Sequence, residues 1–237
     1  TNVVIVDTLP IANFSFTDTI CLGDTTFFSD LSVNTSGNIN NWQWNFGDGN
    51  TSTDINPYHI YSNPGTYTVT LTVTDDNLCT HTDTQTVIIR PNPIASFTAT
   101  TVCVGDTTAL ISTSISDSIY ANIAGTINSW QWNFGDGNGY GDDLDIIQHA
   151  YTSDGPYLVT LIVTDQYGCD TEVSDSVYVT PGPIANFTSD TVCEGDSTTF
   201  TDLSQFTPPL GVEIQTWLWD FGDGNTSTDQ NPTHLYS

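Results

Sequence analysis

From Tyr67 to Thr74 the chain alternates strictly, with Tyr67, Val69, Leu71 and Val73 apolar and Thr68, Thr70, Thr72 and Thr74 between them. A period of two puts each set on its own face of a pleated strand. The pattern therefore predicts a half-buried strand with a threonine-covered outer face. Tyr157, Val159, Leu161 and Val163 repeat the apolar set. Trp42, Trp44 and Phe46 share one parity and hence one face. Gly47-Asp48-Gly49 follows, a tight turn that draws on glycine's dihedral freedom. Similar short runs, separated by Gly, Asp, Asn and Pro clusters, fill the chain. No segment shows a 3.6-residue apolar stripe with caps. The expected fold class is all-β, built from β-sandwiches with no substantial helix.

These runs recur in register. Pro10–Phe14 returns at Pro93–Phe97 and Pro183–Phe187, and Cys21-Leu-Gly-Asp24 returns at Cys103–Asp106 and Cys193–Asp196. The Trp42–Gly49 segment returns at Trp130–Gly137 and Trp217–Gly224. Copies lie roughly 80–90 residues apart, the size of a small domain rather than a solenoid repeat. The stretch before Trp42, Trp130 and Trp217 varies in length, as expected of a tolerant surface loop. The expected organisation is a last strand of a preceding repeat over residues 1–9, then repeats over 10–91, 92–181 and 182–237. The third would lack its final strands, which suggests a window on a longer array. A strand swapped in from a neighbouring molecule is the competing way to complete it.

Composition narrows the function classes. The 237 residues include 28 acidic groups and one basic group, Arg90, for a formal net charge of −27. Duplex recognition needs Lys and Arg to neutralise phosphates, so nucleic acid is excluded as a partner. An anionic membrane surface would repel the chain, and no apolar run is long enough to insert. A hydrophobic fraction of 37% and an aromatic fraction of 11% argue against disorder. Thr1–Val6 has neither the basic start nor the cleavage site of a secretory leader.

The segments Trp44–Gly49, Trp132–Gly137 and Trp219–Gly224, with Pro57–Tyr61 and Gly65–Val73 after the first, resemble the PKD (polycystic kidney disease) domain family. Pro232–Tyr236 fits the same pattern. Unit two departs from it: Ile147–Tyr151 lacks the proline, and Gly155-Pro-Tyr replaces Gly-Thr-Tyr. The resemblance covers almost the whole chain. It implies tandem immunoglobulin-like sandwiches. It implies function only loosely: extracellular spacers, adhesion modules, surface-layer modules and accessory modules of secreted hydrolases. The motif residues it marks as structural are Trp44, Phe46, Gly47, Asp48 and Gly49, with Trp132, Phe134, Gly135, Asp136 and Gly137, and Trp219, Phe221, Gly222, Asp223 and Gly224.

Within these units the cysteines group as Cys21 with Cys79 and Cys103 with Cys169, leaving the partner of Cys193 beyond residue 237. Loops of about 60 residues would each contribute about 4 kcal/mol by chain entropy and imply an oxidising compartment. Buried thiols are the alternative. His59, His149 and His234 precede Tyr61, Tyr151 and Tyr236 by two residues, which suits a structural corner better than a ligand or base repeated in every unit. His81 stands outside the repeat and is assigned to a loop. No cofactor motif is present. Calcium is the one candidate ion, with Asp24, Asp75, Asp76, Asp142, Asp143 and Asp145 the densest carboxylates, although no EF-hand spacing occurs. Thr8, Thr19, Thr25, Thr107, Ser118, Ser176, Thr191 and Ser197 resemble the O-glycosylation sequon of Bacteroidota secreted proteins. Asn13, Asn34, Asn50, Asn186 and Asn225 match the N-linked sequon, which a bacterial chain rarely uses.

The leading expectation is a non-catalytic structural module at the cell surface or outside it. Disulfide-stapled, acidic, glycosylated sandwiches, joined at Arg90–Pro93 and Pro181–Pro183, would form a semi-rigid rod in a fibre, stalk or adhesin. Its partners would be neighbouring repeats, like chains in a fibre, or a host surface. The alternative is an accessory or spacer module of a larger secreted hydrolase, with Tyr120 and Tyr140 available to stack on polysaccharide.

Overall fold

Alternation along the longest strands decides the layering. The computed structural model describes residues 8–17, 20–138, 144–206 and 213–236. Unit one contains β1 (Phe14–Phe16), β2 (Ile20–Cys21), β3 (Thr26–Asp30), β4 (Ile39–Asn45), β5 (Thr51–Ser52), β6 (Tyr58–His59), β7 (Gly65–Asp75) and β8 (Thr80–Arg90). One sheet has the order β1-β3-β6 and the other β2-β8-β7-β4-β5. In β7, Val69, Leu71 and Val73 are wholly buried while the intervening threonines are partly exposed. Trp44, on β4, lies opposite Leu71 and is also wholly buried. The core between the sheets adds Phe14, Phe28, Phe46, Tyr61, Val87 and Ile89.

Unit two repeats this with β9 (Phe97–Ala99), β10 (Val102–Cys103), β11 (Thr107–Ser112), β12 (Ile127–Asn133), β13 (Ile146–Ala150), β14 (Gly155–Asp165) and β15 (Asp170–Thr180). Its sheets are β13-β11-β9 and β10-β15-β14-β12, around Leu110, Trp132, Phe134 and Tyr151. Unit three contributes β16 (Phe187–Ser189), β17 (Thr198–Asp202), β18 (Trp219–Asp220), β19 (Thr226–Ser227) and β20 (Thr233–His234). Phe187, Phe200, Trp217, Trp219 and Phe221 line a cavity of about 510 Å³ there. The fold is all-β. The described residues hold one turn of 3₁₀ helix, Ser118–Tyr120, and no helix long and apolar enough to cross a membrane. Residues 1–7 of the expected leading strand lie outside the described residues.

The first strand of each complete unit is split between the two sheets. In unit one, β1 pairs antiparallel with β3, whereas β2 crosses over and pairs in parallel with the end of β8, Cys21 opposite Arg90. In unit two, Cys103 lies opposite Thr180 in the same way. This overturns the within-unit disulfide grouping. Cys79 immediately precedes the start of β8 and Cys21 lies beside its end, so the 11 residues of β8 separate them. At about 3.3 Å per residue that is about 36 Å, where a disulfide tolerates about 7 Å between Cα atoms. The 11 residues of β15 separate Cys103 from Cys169 equally. Cys21 is instead bonded to Cys169, from one unit to the next, with Cα atoms 5.4 Å apart.

His81 also departs from expectation. It lies within β8 rather than in a loop, and its Nδ1 accepts the Ala12 amide at 2.9 Å.

Candidate functional site

Two constellations are built from the residues singled out above. The first is the corner repeated in every unit. The Trp-x-Phe strand ends at Phe46, and Gly47 turns the backbone at φ +83°. Asp48 then folds back on the turn. Its Oδ1 accepts the Asn50 amide at 3.0 Å, and its Oδ2 accepts Asn50 Nδ2 at 2.9 Å. The same Oδ2 lies 2.7 Å from His59 Nε2. The His59 ring stacks on Phe46 with centroids 4.4 Å apart and meets the edge of Tyr61 at 4.6 Å. Tyr61 donates its hydroxyl to the Phe46 carbonyl at 3.1 Å. His149 with Asp136, Phe134 and Tyr151, and His234 with Asp223, Phe221 and Tyr236, repeat the set.

Electrostatics follow from this wiring. Burial pulls the Asp48 carboxyl upward, but the Asn50 amide and the His59 ring outweigh it and hold it below its usual range. Asp136 is lowered likewise, burial opposing and His149 and Asn138 prevailing. At Asp223 the Asn225 amide and then His234 draw the value down to about 2. Burial pushes the Tyr61 hydroxyl up, and that of Tyr151 up to about 12. An Asp–His pair next to a tyrosine has the ingredients of a general base. At Tyr61 and Tyr151 the hydroxyl beside it donates to a backbone carbonyl, and burial holds it in its neutral form.

The second constellation lies between units one and two, around the Cys21–Cys169 bond. Asp24 Oδ2 accepts the Cys21 amide at 3.1 Å, and the Asp24 amide donates to the Cys21 carbonyl at 3.0 Å. Across the joint, Asp165 Oδ1 accepts the amides of Tyr167 at 2.9 Å and Cys169 at 3.0 Å. That capped tip presents the wholly buried Cys169 to unit one. Arg90, the single cation, places its guanidinium 3.4 Å above the centroid of the Tyr167 ring. Its Nη1 donates to the Ile123 carbonyl at 2.8 Å. Ile123 belongs to the variable loop of unit two. Tyr120, in the same loop, is half-buried; after burial and Asp48, it is one of the groups that raise the Tyr67 hydroxyl in unit one. Pro91 and Pro93 are buried in the connection.

Sequence reading recognised Arg90 as the only cation and as part of a junction, but not Tyr167 or Ile123 as its partners. The available signal was Tyr167 standing two residues before a cysteine.

Among the described residues the calcium candidates do not group as a metal site. Asp75 is buried, with Oδ1 accepting the amides of Asn77 and Cys79 and Oδ2 accepting Asn34 Nδ2. Asp24 caps its own turn, and Asp142 and Asp143 lie outside the described residues. Among the described residues no three His, Cys, Asp or Glu side chains group as a metal site. Of the glycosylation candidates, Thr8, Thr107, Ser118, Ser176, Thr191 and Ser197 are exposed and Thr25 is half-buried. Thr19 and Tyr140 lie outside the described residues.

A family model described as PKD domain matches residues 7–89, 90–181 and 180–237. Collagenase ColA of Bacillus cereus is 41% identical over 70 residues, which is 30% of this chain and 7% of that protein. Pre-pro-metalloprotease PrtV of Vibrio cholerae is 41% identical over 91 residues, 36% of this chain and 10% of that protein. The chain thus spans at most about a tenth of the curated relatives it matches. The crystal structure of the PKD1 domain of Vibrio anguillarum Epp is 34% identical, covering 35% of this chain and 96% of that chain with a TM-score of 0.33.

Proposed function

The chain belongs to the PKD domain family, and on that basis we propose that it is a non-catalytic accessory segment of a larger secreted hydrolase, a spacer that positions the catalytic part against a macromolecular substrate. The carrying observation is the corner repeated in each unit. Its aspartate, histidine and tyrosine satisfy one another and the backbone, so three copies do structural work where a reaction would need a free nucleophile or base. The collagenase and metalloprotease relatives support the kind of parent. The bonded cysteines support an oxidising, extracellular setting. Bacteroidota-type O-glycosylation at the exposed candidates belongs to the same reading.

Deleting residues 10–237 from the parent tests it. Turnover of a small soluble substrate should stay within about twofold, a change of only a few tenths of a kcal/mol. Turnover of an insoluble macromolecular substrate should fall severalfold. Equal loss on both, or hydrolysis by the isolated chain, would overturn the proposal.

The covalent joint favours a second reading, a fibre, stalk or adhesin built of many such units. Electron microscopy of the native secreted material separates the two. Continuous thin fibres support the second, and short rods ending in a globular body support the first.

A further inference from the structure

The disulfide of this chain runs between units, and unit two carries the same half-site as unit one. Cys21 and Cys103 occupy equivalent places. Each ends a two-residue strand that pairs in parallel with the exit of its unit's last strand, opposite Arg90 and Thr180. Each is half-buried, and each is held by the same turn, with the amide of Asp24 or Asp106 donating to the cysteine carbonyl at 3.0 Å. Cys21 is bonded to the hairpin-tip cysteine of the following unit, Cys169. Cys103 is a thiol, 3.8 Å from the Thr180 hydroxyl. It has no reach to a tip within its own unit, because Cys169 is taken and β15 runs between them. What can arrive beside Cys103 is a tip carried past Pro181–Pro183, just as Cys169 is carried past Arg90–Pro93.

We propose that Cys103 is a second inter-unit disulfide site, and that its partner is a hairpin-tip cysteine of the following unit, set in the Asp-x-x-x-Cys arrangement seen at Asp165–Cys169. Bond formation removes two protons and two electrons from the two thiols. A small-molecule or protein disulfide accepts both electrons and leaves as two thiols, by exchange through a mixed disulfide. Unit two then gives Cys169 to the unit before it and Cys103 to the unit after it. Because Cys103 lies between Cys21 and Cys169 in sequence, successive bonds overlap rather than follow one another.

The test replaces residues 182–237 with a second copy of residues 92–181, a complete unit with its own core, and expresses the chain in an oxidising compartment. Thiols are alkylated, and the protein is digested without reduction and mapped by mass spectrometry. The expected result is Cys21 linked to the first Cys169, and Cys103 linked to the Cys169 of the added copy. A second form keeps the native chain and appends residues 153–181 after Ser237, so that unit three gains a tip of its own; Cys103 should link to that tip. Alkylated Cys103, or Cys103 bonded to Cys79 or Cys193, in protein that has formed Cys21–Cys169 overturns the proposal. So does the absence of Cys21–Cys169 itself.

Discussion

At the scale of single residues, Asp48 shows how one carboxylate organises a corner. It caps the turn at Asn50, fixes the His59 ring, and through that ring packs Phe46 against Tyr61. Gly47 makes the arrangement possible, because a Cβ there would lie 2.6 Å from the Thr68 carbonyl oxygen at a backbone angle of φ +83°. Gly47→Ala is therefore expected to destabilise unit one by about 2–3 kcal/mol, combining left-handed strain with a backbone clash. Gly49 has a similar φ but open space around it, so Gly49→Ala should cost about 1 kcal/mol. Thermal unfolding of the two variants gives the comparison. Acid should act on the same corner. A carboxylate with a lowered folded pKa stabilises fully above its unfolded value near 4 and loses that contribution as pH falls through the folded value. For Asp223 the folded value is about 2. The stability difference between the chain and its Asp223→Asn variant should thus be constant above about pH 5 and shrink between about pH 4 and pH 2. Referencing to the variant matters, since protonation also relieves repulsion within a chain of net charge −27. A difference that grows on acidification would contradict this account.

At the scale of elements, the hairpin tip between β14 and β15 positions one thiol. Asp165→Ala leaves the amides of Tyr167 and Cys169 without their shared acceptor. The cost should be about 1–3 kcal/mol, and the yield of the Cys21–Cys169 bond after oxidative refolding should fall, measured by alkylation and mass spectrometry. Asp165→Asn, which keeps an acceptor oxygen, should restore most of that yield. This element also shows what was legible beforehand. Alternation of Tyr67, Val69, Leu71 and Val73 exposed the strand, its buried face and its copy in unit two, because side-chain period is a local property. The shared parity of Trp42, Trp44 and Phe46 was readable for the same reason. Cysteine partnership was not. It depends on β2 leaving the sheet of β1 and pairing in parallel with β8, which sets Cys21 and Cys79 at opposite ends of an 11-residue strand. Nothing in the spacing of Ile20 and Cys21 encodes which sheet they join. His81 was misplaced similarly, since Thr80–Thr86 is polar at nearly every position and reads as a loop until β7 pairs with it. The variable loop before Trp130 was readable as tolerant of length, but not as the element that returns Ile123 to Arg90.

At the scale of the whole molecule, the Arg90–Tyr167 stack, the buried prolines and the Cys21–Cys169 bond all act on the same joint. Closing a span of 148 residues corresponds to about 5 kcal/mol in the chain-entropy model, shared by units one and two. Reduction with dithiothreitol should lower the unfolding temperature of both units together and raise the radius of gyration measured by small-angle X-ray scattering. Arg90→Gln should widen the distribution of inter-unit angles further once the bond is reduced, because the cation–π contact is then the main remaining restraint. The same bond has a consequence for a chain pulled from its two ends. Tension entering before Cys21 passes through the sulfur atoms and leaves after Cys169, so the 148-residue span between them carries almost none of the load. About 500 Å of contour length is thereby withheld from extension. The strands of unit one from β3 to β8 are spared the pull that would peel them apart. Everything from β3 of unit one to β14 of unit two can thus stay out of the path of a force that loads β1, before Cys21, and β15, after Cys169.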